Sequence, residues 1–147
     1  MKYFTHSQKS FVYKYIVMLS DVDQFKHMSF ANYIKLMFLA ADALFVPCLN
    51  QVFLAQNRLK VAKTLMRFHK QTEVGDSILI KITSSNLSSS CFSLFYIFSI
   101  ENTDQLVASG QQDFELLSPL TLAAKELPDE IKNIVMQINS EEEVKSV

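Results

Sequence analysis

The strongest constraint on the fold is a long apolar segment from Phe30 to Phe45, whose only polar side chains are Asn32, Lys35 and Asp42. The segment is rich in Leu, Met and Ala and contains no Gly or Pro, so it predicts an α-helix. A helix that is apolar on nearly every side must be buried around most of its circumference. Because the segment is too short to span a bilayer comfortably, other protein segments must cover it.

Most of the remaining chain has the residue types and the alternation of β-strands. Five strands are predicted, covering Phe11 to Met18, Val61 to His69, Ile78 to Ile82, Phe92 to Ile100 and Leu106 to Leu117. Gly110 is expected to mark a β-bulge in the last of these strands. A short amphipathic helix is predicted to begin at about Leu127 and to continue to Ile138.

Consecutive strands joined by short turns form an antiparallel sheet. A curved antiparallel sheet wrapped around the long central apolar helix accounts for the strand order and covers the helix. We therefore predict an α+β chain with the hotdog fold. It is expected to be a single domain over residues 1–147, with an ordered core at about 10–138 and a tail at 139–147.

The charge balance and the cysteine count argue against several classes of protein. The net charge is −1, which is unlike the strongly basic balance of nucleic-acid-binding proteins. Cys48 and Cys91 are too few for a disulfide framework or a zinc cage, so both are interpreted as reduced core residues. No secretion signal or membrane span is recognised. We expect a cytoplasmic protein with no metal, no cofactor, no nucleic-acid partner and no membrane partner.

The polar segment before the long helix contains the side chains best suited to chemistry, Asp21, Asp23, His27 and Asn32. If the helix begins near Phe30, its free backbone N–H groups face this segment, and a helix N-terminus binds anions. A carboxylate beside such an anion site is the arrangement that hydrolysis of an acyl compound requires. The alternative is that these side chains are only helix caps and turn residues.

The run from Asp21 to Tyr33 resembles the signature of the 4-hydroxybenzoyl-CoA thioesterase-like proteins. In that signature Asp23 is followed by His27 and Met28 and, ten residues after the Asp, by a Tyr. Weaker motifs later in the chain, including a Gly-Asp turn, occur in the family's order. The resemblance therefore covers roughly residues 10–138.

This resemblance implies a thioesterase that acts on an acyl-CoA or acyl-carrier-protein thioester and works as a homodimer or homotetramer. It assigns the catalytic carboxylate to Asp23 and the oxyanion donor to the backbone N–H of Phe30. It assigns supporting positions to His27, Asn32 and Tyr33. Asp23 would act as a base on water or as a nucleophile, and the sequence does not choose between these mechanisms. For His27, a structural hydrogen bond is the alternative to a role as orienting residue or general acid.

The sequence departs from the family pattern at several positions. Many relatives have Gly where this chain has Lys26, an Asn pair where it has Ser29 and Phe30, and Glu where it has Phe38. A related branch uses such a helical carboxylate for catalysis. The only acid on the predicted helix is Asp42, so we do not expect that mechanism here.

A stretch without acidic residues, from Ala43 to Thr72, contains the basic residues Arg58, Lys60, Lys63, Arg67 and Lys70. Such a strip can bind the phosphates of CoA or an acidic carrier protein, and Arg58, Lys60 and Arg67 are the residues we assign to this role. The alternative is a solvated strand face whose charge is balanced by acids elsewhere.

Two other functions stay open. Hotdog dehydratases or hydratases usually have a His five residues after the Asp, whereas His27 follows Asp23 by four. A non-catalytic acyl-binding or interaction module would have a decayed site, which the missing Asn pair permits. Turnover of acyl thioesters separates such a module from an enzyme.

Overall fold

A computed structural model of the chain describes residues 2–4 and 10–139. These residues contain strands β1 (Lys2–Phe4), β2 (Phe11–Ile16), β3 (Arg58–Phe68), β4 (Ser77–Ser85), β5 (Cys91–Ile100) and β6 (Leu106–Leu117), and helices α1 (Phe30–Phe45), α2 (Gln51–Gln56) and α3 (Asp129–Gln137). The strands form one sheet in the order β1-β2-β4-β5-β6-β3, with antiparallel neighbours throughout. The predicted tail beyond Asn139 lies outside the described residues.

Helix α1 has the bounds that the sequence predicts, and it packs across one face of the sheet. Ser29 caps its first turn, because the Ser29 side chain accepts a hydrogen bond from the N–H of Asn32. The side chains that α1 buries are Tyr33, Leu36, Met37, Ala40, Ala41, Leu44 and Phe45. They join the inward side chains of β4, β5 and β6 in one core. The predicted hotdog fold, a curved antiparallel sheet around a central helix, is confirmed.

The expectation that α1 is covered around most of its circumference is wrong for a single chain. Phe38 is 42% exposed and Phe30 is 60% exposed. Lys35 and Asp42 are also exposed. The described residues therefore leave one side of α1, with the apolar side chains of Phe30 and Phe38, exposed.

Strand β3 begins three residues before the predicted strand and forms one edge of the sheet, since β6 is its only partner strand in residues 2–4 and 10–139. From Lys63 onward its side chains alternate between the two faces as predicted. Ala62 is an extra residue, because Val61 pairs with Phe114 whereas Lys63 pairs with the adjacent Asp113. This β-bulge places the unpaired residue on the edge strand.

Gly110 does not form the predicted bulge, since it pairs in regular register with Met66 on β3 and Tyr96 on β5. Its role is to let α1 approach the sheet closely. A Cβ atom at this position would lie 2.8 Å from the Cε atom of Met37 and 3.1 Å from the carbonyl oxygen of Leu65. A side chain at this position would therefore displace the end of the Met37 side chain and crowd the backbone of β3.

The described residues give three further findings, which concern the cysteines, metal-binding groups and membrane-spanning helices. Cys48 is buried and Cys91 is half-buried, and neither forms a disulfide. No group of three or more His, Cys, Asp or Glu residues in the described ranges has a metal-binding arrangement. None of the helices in residues 2–4 and 10–139 combines the length and apolar character that crossing a membrane requires.

Candidate functional site

The segment between β2 and α1 forms a closed loop that holds Asp23. A bridge between Val22 and Met28 closes the loop, and the N–H of Asp23 donates to the carbonyl oxygen of His27 at 2.9 Å. The Oδ1 atom of Asp23 accepts the N–H groups of Phe25 at 2.8 Å and His27 at 3.2 Å. Its Oδ2 atom has no hydrogen bond within the described part of the chain. The loop therefore orients an exposed carboxylate and leaves one oxygen available.

Lys26 adopts the left-handed backbone conformation, with φ at 64°. This is the position where the family resemblance places Gly, and the loop geometry explains why. A residue with a Cβ atom is strained in this conformation, whereas Gly is not. Lys26 therefore adopts the conformation that the tight turn requires, and its backbone is strained there.

Replacing Lys26 with Gly is expected to raise the free energy of unfolding by about 1 kcal/mol, because it removes that strain. Urea unfolding measures the change. Lys35→Gly is the matched control: Lys35 is exposed on α1, so the same substitution should lower the free energy by about 1 kcal/mol. If Lys26→Gly also lowered it, the left-handed conformation would be wrong.

Asp21 lies next to this loop, but its carboxylate is already engaged. Its Oδ2 atom accepts the Tyr15 O–H at 2.7 Å and the Met18 N–H at 2.8 Å. Its carbonyl oxygen accepts the Asn32 amide at 2.6 Å. Burial, together with the hydrogen bond to Asp21, raises the pKa of Tyr15 to about 12. The hydrogen bonds of Asp21 therefore connect β2, the loop and α1, and its carboxylate is not free in solvent beside Asp23.

The first turn of α1 supplies backbone donors close to this loop in sequence. The carbonyl oxygen of Ser29 accepts the N–H groups of Asn32 and Tyr33. The N–H groups of Phe30 and Ala31 have no hydrogen-bond partner among residues 2–4 and 10–139. Two unpartnered N–H groups at a helix N-terminus are suited to hold an oxyanion.

A cavity of about 350 Å³ adjoins the start of α1 and is lined by Met28, Phe30, Tyr33, Phe68, His69, Lys70 and Gln71. The rings of Phe30 and Phe68 lie 4.8 Å apart between centroids, and Tyr33 meets Phe68 edge-on at 5.1 Å. Phe68, Lys70 and Gln71 were not among the predicted site residues. The only sequence signal for Phe68 was the predicted strand from Val61 to His69, and a strand pattern does not indicate a cavity.

Of the site residues predicted in the loop and in α1, Phe30 and Tyr33 line this cavity, whereas Asp23, His27 and Asn32 do not. Tyr33 is only 3% exposed, and its hydroxyl shares a 2.8 Å hydrogen bond with the hydroxyl of Thr72, so it ties α1 to the segment after β3. Asn32 ties α1 to Asp21, as described above. His27 contributes its backbone N–H to the loop. Its imidazole makes no hydrogen bond within the described residues.

The basic residues of β3 lie on the outer face of the sheet, and acidic residues oppose two of them. Lys60 pairs in register with Glu115 and Lys63 with Asp113 on β6. Hydrogen bonds from Gln111 and from Ser93, with a smaller effect of the Lys63 charge, hold the pKa of Asp113 below its ordinary value. The strip is therefore partly neutralised within the chain.

Arg67 and Arg58 have no acidic partner in the register, since they pair with Ser109 and Leu117. Arg67 adjoins Phe68 in sequence, but successive residues of a strand face opposite sides, so its side chain lies on the outer face of the sheet and does not line the cavity. Arg58 is ten residues from Phe68 along β3, a distance of about 33 Å in an extended strand. None of the three residues assigned to phosphate binding, Arg58, Lys60 and Arg67, therefore lines the cavity within one chain.

Comparisons with known proteins identify the family and the fold. The model of the thioesterase-like superfamily matches residues 17–135. No curated protein sequence matches the chain. Several solved structures are similar at low sequence identity, a likeness that concerns the fold.

Three of these structures illustrate the likeness. A 1,4-dihydroxy-2-naphthoyl-CoA thioesterase from Synechocystis is 19% identical with a TM-score of 0.80, covering 86% of this chain and 96% of its own. A Staphylococcus aureus protein in complex with CoA is 13% identical with a TM-score of 0.81, covering 89% and 84%. A gentisyl-coenzyme A thioesterase is 17% identical with a TM-score of 0.73, covering 84% and 98%.

Proposed function

The chain belongs to the thioesterase-like superfamily, and from this premise we propose that it hydrolyses an acyl-CoA or acyl-carrier-protein thioester, as one domain, to the free acid and the thiol. Family membership supports thioester hydrolysis as the activity. The observation that carries the proposal is the pair of unpartnered N–H groups at Phe30 and Ala31, which follow the loop that orients the Asp23 carboxylate. The cavity beside them is apolar enough to admit an acyl group.

In the proposed reaction the thioester carbonyl oxygen accepts the N–H of Phe30, which stabilises the negative charge that develops there. Asp23 either takes a proton from the attacking water or attacks the carbonyl carbon itself. If Asp23 acts as a base, water forms the new carbon–oxygen bond, the carbon–sulfur bond breaks, and the leaving thiolate takes the proton that Asp23 accepted. If Asp23 attacks, the carbon–sulfur bond breaks as a mixed anhydride with Asp23 forms; water then hydrolyses the anhydride to the free acid, and its proton goes to the thiolate. Asn32 and Tyr33 keep the start of α1 in position through their hydrogen bonds to Asp21 and Thr72.

A CoA thioester is the preferred form of substrate, because the similar structures include two CoA thioesterases and one CoA complex. The test is a panel of acyl groups, each offered as the CoA and as the carrier-protein thioester, with release of free thiol as the signal. Faster turnover of the CoA forms supports the proposal. If only the carrier-protein thioesters were hydrolysed, the substrate would be an acyl-carrier-protein thioester and not a CoA thioester.

A non-catalytic acyl-binding module is the second candidate, and one observation favours it. The Oδ1 atom of Asp23 accepts two backbone N–H groups, as the side chain of a structural turn residue does. Such a module would bind acyl-CoA without releasing thiol. Binding without turnover across the panel would establish it.

We expect the protein to be a homodimer or homotetramer, because β3 leaves a long sheet edge unpaired and Phe38 leaves α1 uncovered. Pairing two β3 edges about a two-fold axis makes the strands antiparallel. The Arg58 end of one β3 then lies opposite the Phe68 end of its partner. Light scattering at micromolar concentration measures the mass. A fully active monomer would contradict this arrangement.

Charge reversal of the basic residues is expected to raise KM more than it lowers kcat, because binding of phosphates remote from the reacting carbonyl is equal in ground and transition states. We expect this of Arg67→Glu and of the double variant Arg58→Glu with Lys60→Glu. Lys63→Glu is the control, because it reverses a charge on the same strand at a residue to which we assign no phosphate contact. An effect of Arg58 also reports on the dimer, because within one chain Arg58 is far from the cavity. Unchanged KM values for CoA esters in both variants would show that these basic residues take no part in substrate binding.

A further inference from the structure

A stripe of exposed residues runs along α1 and is symmetric about its middle. The stripe consists of Ala31, Lys35, Phe38, Asp42 and the cap residue Val46. Spacings of three or four residues place them on one side of the helix. Phe38 is in the middle, with Lys35 and Asp42 on either side of it. The stripe is therefore apolar at its middle and its ends, and it carries one charge of each sign between them.

A stripe with this symmetry is complementary to a second copy of itself. When two α1 helices lie antiparallel about a two-fold axis beside Phe38, Lys35 of each helix faces the partner's Asp42, and Phe38 meets the partner's Phe38. Neither Lys35 nor Asp42 forms an ion pair with another described residue. Two copies thus gain an ion pair on each side of an apolar contact, and these pairs fix the register of the helices.

The open edge of β3 is a second surface of the same kind. The N–H of His69 donates to the carbonyl oxygen of Val107 on β6. Backbone groups alternate in direction along an antiparallel strand, so every second residue before His69 also faces β6. The residues between them, Thr64, Met66 and Phe68, turn their N–H and C=O groups to the open edge. These three residues can therefore pair with another strand.

The bulge at Ala62 ends this regular stretch, because an extra residue interrupts the alternation. Three evenly spaced residues pair fully with a second copy of the same edge only if the two-fold axis passes through the middle residue. Met66 then lies opposite the partner's Met66, and Phe68 lies opposite the partner's Thr64.

The axis at the helix and the axis at the strand lie at the same level of the molecule. Met37, which precedes Phe38, packs over Gly110, where an added Cβ atom would lie 2.8 Å from the Met37 Cε atom. Gly110 pairs in register with Met66. The middle of α1 is therefore level with the middle of the open edge, and one two-fold axis serves both surfaces.

We infer that a second copy of this chain docks on the α1 stripe and the β3 edge, about one axis beside Phe38 and Met66, and that it contributes Thr64 to the candidate site. Directly opposite residues face the same side of a sheet, so the partner's Thr64 lies beside Phe68, whose ring contacts Phe30 in the cavity. The hydroxyl oxygen of Thr64 accepts the Gln112 amide at 3.4 Å, which leaves its hydrogen to donate into the neighbouring cavity.

Charge exchange tests the helix contact. Lys35→Glu and Asp42→Lys each place like charges opposite one another twice, so each variant should raise the dimer dissociation constant about tenfold or more. An equal mixture of the two variants should form mixed dimers at the wild-type dissociation constant, because both ion pairs return. Sedimentation measures these constants. Asp104→Lys, at an exposed acid between β5 and β6, should dimerise as the wild type does. A monomeric wild type, or a mixture no tighter than its components, would overturn the inference.

Cross-linking tests the strand register. Opposite hydrogen-bonded residues have Cα atoms about 5.5 Å apart, within the range of a disulfide, so Met66→Cys should give a covalent dimer on oxidation. Leu65→Cys is the control, since its two copies would be about 8 Å apart. The wild type, with Cys48 and Cys91 alone, should stay uncross-linked. Cross-linking of Leu65→Cys but not of Met66→Cys would mean another register.

Mixing inactive chains tests the shared site, and only this experiment rests on the proposed thioesterase function. Thr64→Arg extends a long side chain into the partner's cavity and should abolish turnover. In mixtures with Asp23→Asn, half of the dimers are mixed and have one intact site of two, so about a quarter of the wild-type activity should return. No recovery would place Thr64 outside the partner's site. If Thr64→Arg does not dimerise, Thr64→Met replaces it. If no thioester is hydrolysed, charge exchange and cross-linking still decide the interface.

Discussion

Asp23→Asn is expected to lower kcat by about 10²-fold or more, the scale of general base catalysis, while leaving the fold intact. The amide keeps the oxygen that accepts the N–H groups of Phe25 and His27, so the loop is retained. What it removes is the negative charge and the second carboxylate oxygen, which has no other partner in the described residues. Steady-state kinetics on the best substrate of the thioester panel measure the change.

Asp21→Asn is the matched comparison, since Asp21 is two residues away and its carboxylate is engaged by Tyr15 and Met18. This variant is expected to lose about 1 kcal/mol of stability or more and little of kcat at temperatures where it is folded. Tyr15→Phe removes the same hydrogen bond and should behave in the same way. If Asp21→Asn abolished turnover while Asp23→Asn kept it near the wild type, the assignment of the site would be wrong.

Gly110→Val is expected to lower the free energy of unfolding by about 2–3 kcal/mol, because the added side chain overlaps Met37 and approaches the backbone of β3. Thermal or urea unfolding measures the loss. The Met37 side chain can be tested separately with Met37→Ala, which leaves a cavity that a valine at residue 110 partly fills. The double variant should therefore be more stable than the sum of the single changes predicts. Strict additivity would show that the two residues do not meet.

The sequence predicted the elements whose residues carry a strong periodic signal. Helix α1 and strand β6 have the predicted bounds because each is long and uninterrupted. Two elements were missed for the opposite reason. Helix α2 has six residues, too few for a helical period, and its main signal was the Asn50 cap, whose side chain accepts from the N–H of Phe53. Strand β1 has three residues and is defined by its pairing with β2.

The candidate site was predictable only in part. Asp23, His27 and Tyr33 belong to one motif along the chain. The sequence alone could therefore predict that all three lie at or just before the start of α1. The contacts across the fold were not, since nothing in the sequence states that Phe68 meets Phe30 or that Thr72 meets Tyr33. An apolar pattern also does not show which other residues cover the apolar side chains. The exposed side of α1 was not predicted, because an apolar pattern does not state which of its side chains the rest of the chain covers.

The bulge in β3 has a consequence for how the length of this chain can vary. Val61 and Lys63 occupy successive positions opposite β6, so a chain that lacks Ala62 would keep every side chain of β3 on its present face. Loss of any other single residue within the strand would turn part of it over and exchange its inward and outward side chains. Among related sequences, insertions and deletions within β3 are therefore expected to concentrate at this one point, where a residue can be gained or lost without disturbing the core.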